Sequence, residues 1–505
     1  MTDGNDDVKL EPAPDEVGLT EFVDRAGKKR TFSRGSEDAE QADWLAREFE
    51  RKVRFNYASD AWHVWNGLRW KPDGTKDVQR MVYDLVYERL AAIGAARMNE
   101  DKRKRALRII RRMLERNRCE SALDVLATLS EYKTDGSDWD QEPYLLGVAN
   151  GIIDLRTGTL SRNPDSTMLV TKSTSVAFDP KAKAPRFVRF LSEITSGDAD
   201  LAKFFVLWFG YSLFGLTQEH RFLILTGLGR NGKGTLATIM RRVFGEYSAK
   251  AAPNLYLQSK WGAARSSDAR SDLMQLKGMR LAIMSEPEGG RFNTEMLKAH
   301  TGGDPIVARP LFGQEISWLP THSITFLTNK PPSVDDVGPA MAARVMVADF
   351  RERYDDERRD MQLDGKLAAE AEGVLLLLVA GAAEWWAARD RGGLESYIPV
   401  RVKEASRAYL VQNDPIGRAL QEAFVIDRSA QAMSAELYGA YVDWHARSAE
   451  PDDPMTLTAF GLALTARGFV KKRGRNGVVY AYIRPKSAME VAAGEESDGA
   501  SGLLH

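Results

Sequence analysis

A glycine-rich stretch that ends in a lysine lies within Arg221–Phe244 (RFLILTGLGRNGKGTLATIMRRVF) and is the segment best suited to chemistry. An apolar strand is predicted to end at Thr226, and an amphipathic helix to begin near Gly234. Glycines let the intervening backbone turn tightly, so that successive N–H groups can point at phosphate oxygens. Lys233 would add a positive charge beside the β- and γ-phosphates, and the helix N-terminus also favours an anion. The pattern predicts a nucleotide site formed by nine consecutive residues: Gly227, Leu228, Gly229, Arg230, Asn231, Gly232, Lys233, Gly234 and Thr235.

This loop departs from the strict nucleotide-binding pattern at one position. The strict pattern ends in Gly-Lys-Ser/Thr, whereas this chain has Lys233, Gly234 and Thr235 in succession. We expect Thr235 to bind Mg²⁺ after a small shift, or the ion to be held more through water and acidic groups. The alternative is a glycine-rich turn without a ligand, which the strand–loop–helix context disfavours.

Acidic side chains follow the next apolar strand, in Leu276–Asn293 (LKGMRLAIMSEPEGGRFN). A nucleotide hydrolase needs a carboxylate that holds hydrated magnesium or polarises the attacking water. Glu286, directly after the strand, is the first candidate for catalysis and for metal binding, and Glu288 is a second metal candidate. Ser285 stands where a common Walker B pair has its first acid. Solvated acids in a loop are the alternative for both glutamates.

Two further polar side chains lie at strand ends. Asn329 ends the strand in SITFLTNKPP, where its amide could bond the γ-phosphate and the attacking water. Arg344 begins the strand VMVADF, and an arginine donated by a neighbouring subunit could stabilise the charge that develops during phosphoryl transfer. A turn-forming asparagine and a surface ion pair are the alternatives. With Lys233 and Glu286, these two residues form the predicted catalytic set.

Together the motifs resemble superfamily 3 DNA helicases of the phage/plasmid primase type, the P4-family or D5-like proteins. The resemblance covers about residues 42–485 and includes, in order, GLGRNGKGT, RLAIMSEPE, LKAHTGGDPIVARPLFGQE, FLTNKPP and AARVMVADF. It implies an α/β fold: a P-loop AAA+-like motor between a mainly helical D5-type N-terminal domain and a C-terminal winged-helix domain. It also implies an ATP-dependent helicase that uses Mg²⁺, forms a hexameric ring and unwinds DNA in phage or plasmid replication.

DNA contacts are expected from two hairpins. By resemblance, the segment 297–315 contains a hairpin that projects into the ring pore, and its DNA-binding candidates are Lys298, Arg309, Phe312 and Gln314. The second hairpin, in 470–483, is basic, and the side chains that could contact duplex DNA or a partner protein are Lys471, Lys472 and Arg473. A solvated hairpin is the alternative. The basic stretch from Lys102 to Arg118 is predicted to be helical, and it is more typical of a solvated face than of a DNA site.

Five segments are predicted along the chain. Residues 1–40 and 486–505 are polar and are expected to be a disordered arm and a disordered tail. Residues 41–185 form the N-terminal domain, residues 186–395 the motor, and residues 396–485 the winged-helix domain. The predicted core of the N-terminal domain includes Trp62, Trp65 and Trp70. Strands that alternate with helices in the motor favour an α/β layer architecture independently of the resemblance.

Composition restricts the setting of the protein. The 505 residues carry a net charge of −1, which disfavours a uniformly basic DNA-coating protein but is compatible with local basic patches. Cys119 is the single cysteine, so no internal disulfide can form, and a reducing cytoplasm is expected. The N-terminus does not resemble a signal peptide. The apolar run 373–386 is too short to span a bilayer and is predicted to be a buried helix, so no membrane partner is expected.

The residues leave other functions open. The chain could bind ATP as a switch in an origin-recognition or loader protein, or be the helicase part of a primase–helicase system. The residues before the match are too few for the primer-synthesis domain of fusion relatives, so a separate primase or polymerase is an expected partner beside DNA. A P-loop ATPase that acts on proteins is a third alternative. His300 and His322 lack metal-ligand spacing and are predicted to be structural.

Overall fold

A computed structural model describes residues 19–23, 29–33, 37–96, 99–252, 255–258, 270–285, 290–309, 315–355, 360–448, 453–474, 477–487 and 489–490. Within these residues, the buried apolar side chains form four clusters. One lies in the N-terminal domain, two lie on opposite faces of a parallel sheet, and one lies in the C-terminal domain. The fold is therefore mixed α/β around a parallel sheet, as the alternation of strands and helices predicted.

Two short strands precede the N-terminal domain. β1 (Leu19–Val23) and β2 (Lys29–Ser33) pair in antiparallel register. They correct the expectation of a disordered arm over residues 1–40, as does the first helix, which begins at Glu37. Both strands mix polar and apolar residues (LTEFV and KRTFS), a strand pattern that the polar composition of the whole segment conceals.

The N-terminal domain packs four helices against a four-stranded sheet. Its elements are α1 (Glu37–Phe49), β3 (Val53–Asn56), β4 (Ala61–Trp65), β5 (Trp70–Pro72), α2 (Asp77–Ala95), α3 (Glu100–Arg112), α4 (Arg116–Leu126) and β6 (Lys133–Thr134). The sheet order is β5-β4-β3-β6, with only the β3–β6 pair parallel. Trp62 and Trp70 are buried, whereas Trp65 is half-buried, with its ring 5.9 Å from that of Trp70.

A three-stranded antiparallel sheet follows, made of β7 (Leu145–Val148), β8 (Gly151–Asp154) and β9 (Thr159–Ser161). Its buried side chains, such as Leu146 and Ile153, belong to the same hydrophobic cluster as the motor helices. The core of the N-terminal domain, by contrast, ends at Tyr132. By packing, the small sheet therefore joins the motor, while the domain limit at residue 185, placed at a series of prolines, stays a prediction.

The motor is built on a five-stranded parallel sheet with helices on both faces. Its elements are α5 (Pro185–Ile194), α6 (Ala199–Ser212), β10 (Phe222–Thr226), α7 (Lys233–Phe244), β11 (Ser248–Lys250), α8 (Ser271–Met274), β12 (Leu281–Ser285), α9 (Thr294–Gly302), β13 (Ile306–Ala308), β14 (Ile316–Trp318), β15 (Ser323–Thr328), α10 (Pro339–Ala342), β16 (Val345–Asp349), α11 (Leu363–Ala369), α12 (Ala371–Ala388) and α13 (Val400–Gln412). The sheet order is β11-β12-β15-β10-β16. Its inner strands are buried along almost their whole length because helices cover both faces. In β10, Ile224 faces one hydrophobic cluster and Leu225 faces the other.

Helix α12 is a core helix of the motor. Within the described residues, Ala371–Arg391 is long and apolar enough to cross a membrane by length and composition alone, with a mean hydropathy of 1.4. However, 56% of this stretch is buried inside the protein, where α12 packs along α6. Gly381 lies so close to α6 that an added Cβ would meet the Val206 carbonyl oxygen at 2.8 Å. The helix is longer than the run 373–386 considered from the sequence, and its burial agrees with the prediction.

Helix α13 belongs to the motor by packing. Its Ser406 hydroxyl accepts a hydrogen bond from the Val347 N–H of β16 at 2.8 Å, and its Tyr409 hydroxyl donates to the Pro332 carbonyl at 2.5 Å. Tyr409 is part of a hydrophobic cluster of the parallel sheet. The buried core of the C-terminal domain begins only at Ile416. The expected boundary at residue 396 is therefore corrected to the turn that follows α13.

The C-terminal domain combines three helices with a three-stranded antiparallel sheet. Its elements are α14 (Pro415–Glu422), β17 (Phe424–Met433), α15 (Ser434–Arg447), α16 (Leu457–Ala466), β18 (Lys471–Gly474) and β19 (Gly477–Pro485). The strand order is β17-β19-β18. Tyr441 and Phe460 stack in its core with ring centroids 4.9 Å apart.

Three buried polar side chains join helix α9 to the parallel sheet. The Tyr256 hydroxyl lies 2.8 Å from Nδ1 of His300 and 3.1 Å from Nε2 of His322. Burial lowers the pKa of His300 to about 4 and the pKa of His322 to about 3, because the charged imidazolium would be poorly solvated. The positive charge of Arg270 lowers the pKa of His300 further. Both histidines are therefore neutral at pH 7.

We expect the motor to lose stability as the pH falls from 6.5 toward 4. The unfolded chain takes up protons at both histidines below pH 6.5, whereas the folded protein resists protonation until the pH reaches the lowered pKa values. At pH 5 the loss of unfolding free energy relative to pH 7.5 should be about 2 kcal/mol for each histidine. Chemical unfolding at both pH values measures the loss, and His322→Asn should remove part of it. An unchanged pH dependence in that variant would contradict the assignment.

Candidate nucleotide-binding site

The loop between β10 and α7 follows the carboxyl end of an inner strand of the parallel sheet. Its glycines adopt left-handed backbone conformations, with φ of +149° at Gly227 and +89° at Gly232. A Cβ at Gly227 would lie 2.3 Å from Nδ2 of Asn231, and a Cβ at Gly232 would lie 2.4 Å from Cγ2 of Ile194. The turn and the close packing therefore both require glycine at these two positions. The tip of the loop is open, and Leu228 is 89% exposed.

Lys233 is the first residue of α7 and is buried against the loop that precedes it. Its ammonium group donates to the Gly227 carbonyl at 2.6 Å, to Oδ1 of Asn231 at 3.1 Å and to Oδ1 of Asn329 at 3.4 Å. Asn329 reaches this point because it follows β15, which pairs with β10 in the sheet. Two residues that were predicted separately as catalytic, 96 positions apart, thus meet in space.

The amide of Asn231 is an unsatisfied donor inside the loop. The side chain is 2% exposed, and its Nδ2 has no hydrogen-bond partner within the described part of the chain. A buried donor without an acceptor costs about 1–3 kcal/mol unless water or a ligand satisfies it. Together with the Lys233 ammonium and the N-terminus of α7, this donor fits an anion such as a phosphate oxygen.

A cleft of about 1220 Å³ opens beside the loop. It is lined by the loop, the first turn of α7, helix α5 and the segments 352–354 and 360–366. Small-molecule sites commonly measure about 300–1,000 Å³, so the cleft is large enough for a nucleoside triphosphate. The charged side chains around it have both signs: Arg186, Arg189, Glu193, Arg230, Glu352, Asp360, Asp364 and Lys366.

Gly234 and Thr235 both line this cleft. A Cβ added to Gly234 would meet no other atom within 4 Å, so packing does not explain the glycine that replaces the usual hydroxyl residue. Thr235 is half-buried in the first turn of α7. Its position in the cleft agrees with the prediction that it could act as a magnesium ligand, and the prediction itself stays open.

The predicted acids fall in a segment that the structure does not describe. Glu286 and Glu288 follow Ser285, the last residue of β12, and the description resumes at Gly290. Ser285 pairs with Leu327 of β15, two residues before Asn329. The carboxyl end of β12 therefore lies at the same edge of the sheet as the phosphate loop.

Arg344 lies at the amino-terminal ends of the parallel strands, whereas Lys233 lies beyond their carboxyl ends. It directly precedes β16, whose first residue pairs with Phe222 at the start of β10, whereas Lys233 lies beyond the end of β10. A strand of five residues separates the two edges by about 16 Å. Arg344 donates to the Ala340 carbonyl at 2.8 Å and to the Thr301 hydroxyl at 3.3 Å. Within one chain it is therefore too far away to reach a nucleotide at Lys233.

The predicted pore hairpin is partly described. Its strands β13 and β14 pair in antiparallel register, from Ile306 opposite Trp318 to Ala308 opposite Ile316. Arg309 is exposed at the end of β13, and the predicted contacts Phe312 and Gln314 lie in the segment 310–314, outside the described residues. Lys298 lies on α9 and forms an ion pair with Asp336, whose pKa it lowers by hydrogen bonding. The expectation that Lys298 contacts DNA thus finds no support in its surroundings.

The basic hairpin of the C-terminal domain is exposed. Lys471, Lys472 and Arg473 lie on the edge strand β18, where all four residues of the strand are exposed. The neighbouring helix α16 (LTAFGLALTA) carries no charged side chain. Of these two elements, β18 therefore offers positive charge to a polyanion, and α16 offers none.

Residue patterns did not identify the side chains that connect the segments around the cleft. Arg401 of α13 donates to Oδ1 of Asp349 at 2.9 Å, to the Asp349 carbonyl at 2.6 Å and to the Thr195 carbonyl at 3.0 Å. It thereby ties α13 and β16 to the end of α5 beside the cleft. Tyr354 also contributes, because its N–H donates to the Arg230 carbonyl of the phosphate loop at 2.8 Å. These residues come from separate segments, and no residue pattern in the sequence singled them out.

Two alanine substitutions in the first part of α7 and its loop should have opposite effects on stability. Gly232→Ala should destabilise the motor, because its Cβ would collide with Ile194 at a positive φ. Gly234→Ala meets no atom and should raise the free energy of unfolding by about 0.5–1 kcal/mol, because alanine favours the helix and restricts the unfolded chain. Thermal unfolding of both variants beside the unmodified protein measures the difference. Equal melting temperatures for the two variants would contradict this geometry.

The fold and the cleft define an α/β protein that carries a glycine-rich, lysine-bearing loop at the carboxyl edge of a parallel sheet. Residues 42–196 match the protein family described as D5 N terminal like. The chain therefore carries a D5-type N-terminal domain, and the relation to D5-like proteins that its motifs indicated is confirmed. The matched segment includes the small sheet β7–β9 and helix α5, which pack with the motor.

A curated relative and several solved structures are similar to this chain. The protein named "Putative helicase L207/L206", from Acanthamoeba polyphaga mimivirus, is 26% identical over 218 residues, which are 43% of this chain. The matched segment spans 22% of that relative, about a fifth of its length. Two apo structures of the NrS-1 C-terminal region are 12% identical, with TM-scores of 0.47 and 0.46. The similarity covers 89% and 88% of this chain, and 100% and 99% of those chains.

Proposed function

We propose that this protein is an ATP-dependent DNA helicase that acts in replication as a ring of identical subunits. The proposal rests on one observation: Lys233 donates a hydrogen bond to Asn329, and both side chains line a cleft of about 1220 Å³. A cation at a glycine-rich loop and an amide on the adjacent strand end are the groups that a triphosphate and its attacking water require. The mimivirus relative is named as a helicase, which agrees with this activity.

The sheet order supports an AAA+-like P-loop motor. The strand before the phosphate loop, β10, lies between β15 and β16, the fourth and fifth strands of the sheet in chain order. Chain connections diverge at this point, and open α/β sheets bind ligands at the carboxyl edge of such a switch point. The loop N–H groups and Lys233 would hold the phosphates, and Thr235 with Glu286 would hold the magnesium ion. Bound Mg²⁺ would neutralise the charge that develops on the phosphate oxygens.

The position of Arg344 supports a ring. Because Arg344 lies at the sheet edge away from its own phosphate loop, it can act only on a nucleotide held by a neighbouring copy. Each site would then combine Lys233, Glu286 and Asn329 of one subunit with Arg344 of the next. Such an arrangement couples hydrolysis to the contact between subunits.

DNA would be held by the β13–β14 hairpin in the pore and by the C-terminal domain at the fork or origin. Arg309 is the described basic residue at the end of the pore hairpin strand. Phe312 and Gln314, in the segment 310–314 outside the described residues, are the other proposed contacts. The order helix, strand, two helices and two strands in the C-terminal domain supports a winged helix, with β18 and β19 as its wing. Single strands in such a channel are bound through charge and stacking, with little reading of sequence.

Strand displacement on a forked duplex tests the proposal. With ATP and magnesium, the purified protein should release the labelled strand, and it should release none with a non-hydrolysable ATP analogue. The cytoplasm, with a separate primase or polymerase, is the expected setting of this activity.

A second function is favoured by Gly234, which stands where a magnesium-binding hydroxyl is usual. A protein with weak hydrolysis would bind ATP as a switch and load or recognise an origin without unwinding it. Tight ATP binding without strand release or DNA-stimulated phosphate release would favour that function over the helicase.

A further inference from the structure

Helix α3 carries the densest positive charge that the described residues show on one element. Its sequence, EDKRKRALRIIRR, holds seven basic and two acidic side chains, a net charge of +5, in a chain whose net charge is −1. The helix belongs to the N-terminal domain, outside the nucleotide cleft and both predicted DNA hairpins. Its charge therefore has no role in the function proposed above.

The basic side chains share one face of the helix. Ile110 is buried in the core of the N-terminal domain, and Leu107 and Ile109 are half-buried. On the opposite side, the helical repeat places Arg108 in the middle of an exposed row that includes Lys104, Arg105 and Arg111. Over the helical rise, Lys104 and Arg111 lie about 10 Å apart.

Most of this row lacks acidic partners. Lys104 pairs with Glu100 at 2.9 Å, but Arg105, Arg108 and Arg111 have no salt bridge in the described residues. Like charges three and four positions apart weaken a helix. Two other exposed arginines of the same domain do have acidic partners: Arg51 pairs with Glu131, and Arg116 pairs with Glu120. The α3 row thus bears a repulsion that a polyanion would relieve.

We propose that the exposed face of α3 binds the phosphate backbone of DNA. Along the axis of a duplex each strand carries about one phosphate per 3.4 Å, so a row of about 10 Å that lies parallel to the axis spans about three of them. Flexible cations without acidic partners suit a backbone contact, which positions a protein on nucleic acid without reading its sequence. An anionic membrane fits less well, because the apolar side chains of α3 face the protein core and leave no face to insert among lipids.

This inference uses the DNA substrate of the proposed function but does not require ATP turnover. The α3 face would hold DNA outside the motor, so that a strand stays attached while the pore hairpin moves. Binding at α3 should therefore persist without nucleotide and in the Lys233→Ala variant. Loss of hydrolysis alone leaves this result intact, so failure of the motor proposal and failure of the α3 proposal are distinguishable.

Equilibrium binding of a labelled forked DNA to the full chain, without ATP, tests the proposal. The test variant replaces Arg105, Arg108 and Arg111 with glutamine, which has a similar helix propensity but no charge. The control variant replaces Arg51, Arg80 and Arg116 with glutamine, which removes the same charge from ion-paired positions in the same domain. Circular dichroism and thermal unfolding establish that both variants are folded.

We expect the α3 variant to bind DNA at least 10-fold more weakly at moderate salt. The slope of log affinity against log salt concentration should fall by about 2 to 3, since each lost phosphate contact removes nearly one released ion. The control variant should change affinity by less than 3-fold, and basal ATPase without DNA should be equal in all three proteins. Equal weakening in both variants, or unchanged binding in the α3 variant, overturns the proposal. An α3 variant that loses binding to phosphatidylserine vesicles but keeps DNA binding overturns it in favour of a membrane.

Discussion

Lys233→Ala should reduce ATP hydrolysis by about 100-fold or more, because it removes the cation that faces the transferred phosphate. In the structure this ammonium is held at the phosphate loop by three acceptors, and no other lysine lies against the loop carbonyl of Gly227 within the described residues. Nucleotide affinity should fall as well, since the lysine contacts phosphates in the bound state as well as in the transition state. Phosphate release with and without an oligonucleotide measures the first effect, and binding of a fluorescent ATP analogue measures the second.

The substitution should leave the motor folded, although Oδ1 of Asn231 and the Gly227 carbonyl lose a donor. The loss of one such hydrogen bond lowers the free energy of unfolding by about 1 kcal/mol, and a measurement of the melting temperature detects a change of this size. Lys250→Ala is a matched control, because Lys250 is an exposed lysine at the end of the edge strand β11 and does not line the cleft. Hydrolysis within a few-fold of the unmodified protein in Lys233→Ala would exclude this loop as the catalytic site.

The sequence indicated which residues after β10 and β15 lie close together, but it did not indicate which side chains line the rest of the cleft. The difference has a physical reason. Parallel strands bring their carboxyl ends to one edge, so the polar residues after β10 and β15 could be assigned to one site without coordinates. Nζ of Lys233 and Oδ1 of Asn329 accordingly lie 3.4 Å apart. The side chains across the cleft, such as Arg186 and Lys366, follow no periodic pattern, and only the tertiary fold brings them together.

Domain limits were harder to predict, because polar side chains or a few apolar residues decide which core a segment packs against. Helix α13 joins the motor through Ser406 and Arg401, which resemble surface residues in the sequence. The small sheet β7–β9 joins the motor core through few apolar residues, such as Leu146 and Ile153. Prolines near residue 185 mark the start of a helix, with Pro185 at its first position. The matched family segment ends at residue 196, close to the predicted limit.

Arg344→Ala should reduce ATP hydrolysis by about 1000-fold or more if the arginine stabilises the phosphoryl-transfer transition state from a neighbouring subunit. The variant should still bind ATP, because its own phosphate loop lies about 16 Å away, beyond the full length of β10. Arg344 also donates to the Thr301 hydroxyl, so a loss of activity could arise from the local structure. Thr301→Val removes that hydrogen bond while keeping the arginine, and it should retain most of the hydrolysis.

Mixing two inactive variants distinguishes an action between subunits from an action within one. Rings that contain both Lys233→Ala and Arg344→Ala subunits have interfaces where an intact lysine meets an intact arginine, about a quarter of them in a random ring. Hydrolysis should therefore return to a measurable fraction of the unmodified rate upon mixing, although each variant alone is inactive. If Arg344 acted within its own chain, no subunit would hold both groups and activity would stay absent. Absence of recovery in rings that contain both variants, verified by differential labelling, would remove the intersubunit site and with it the structural reason for a ring.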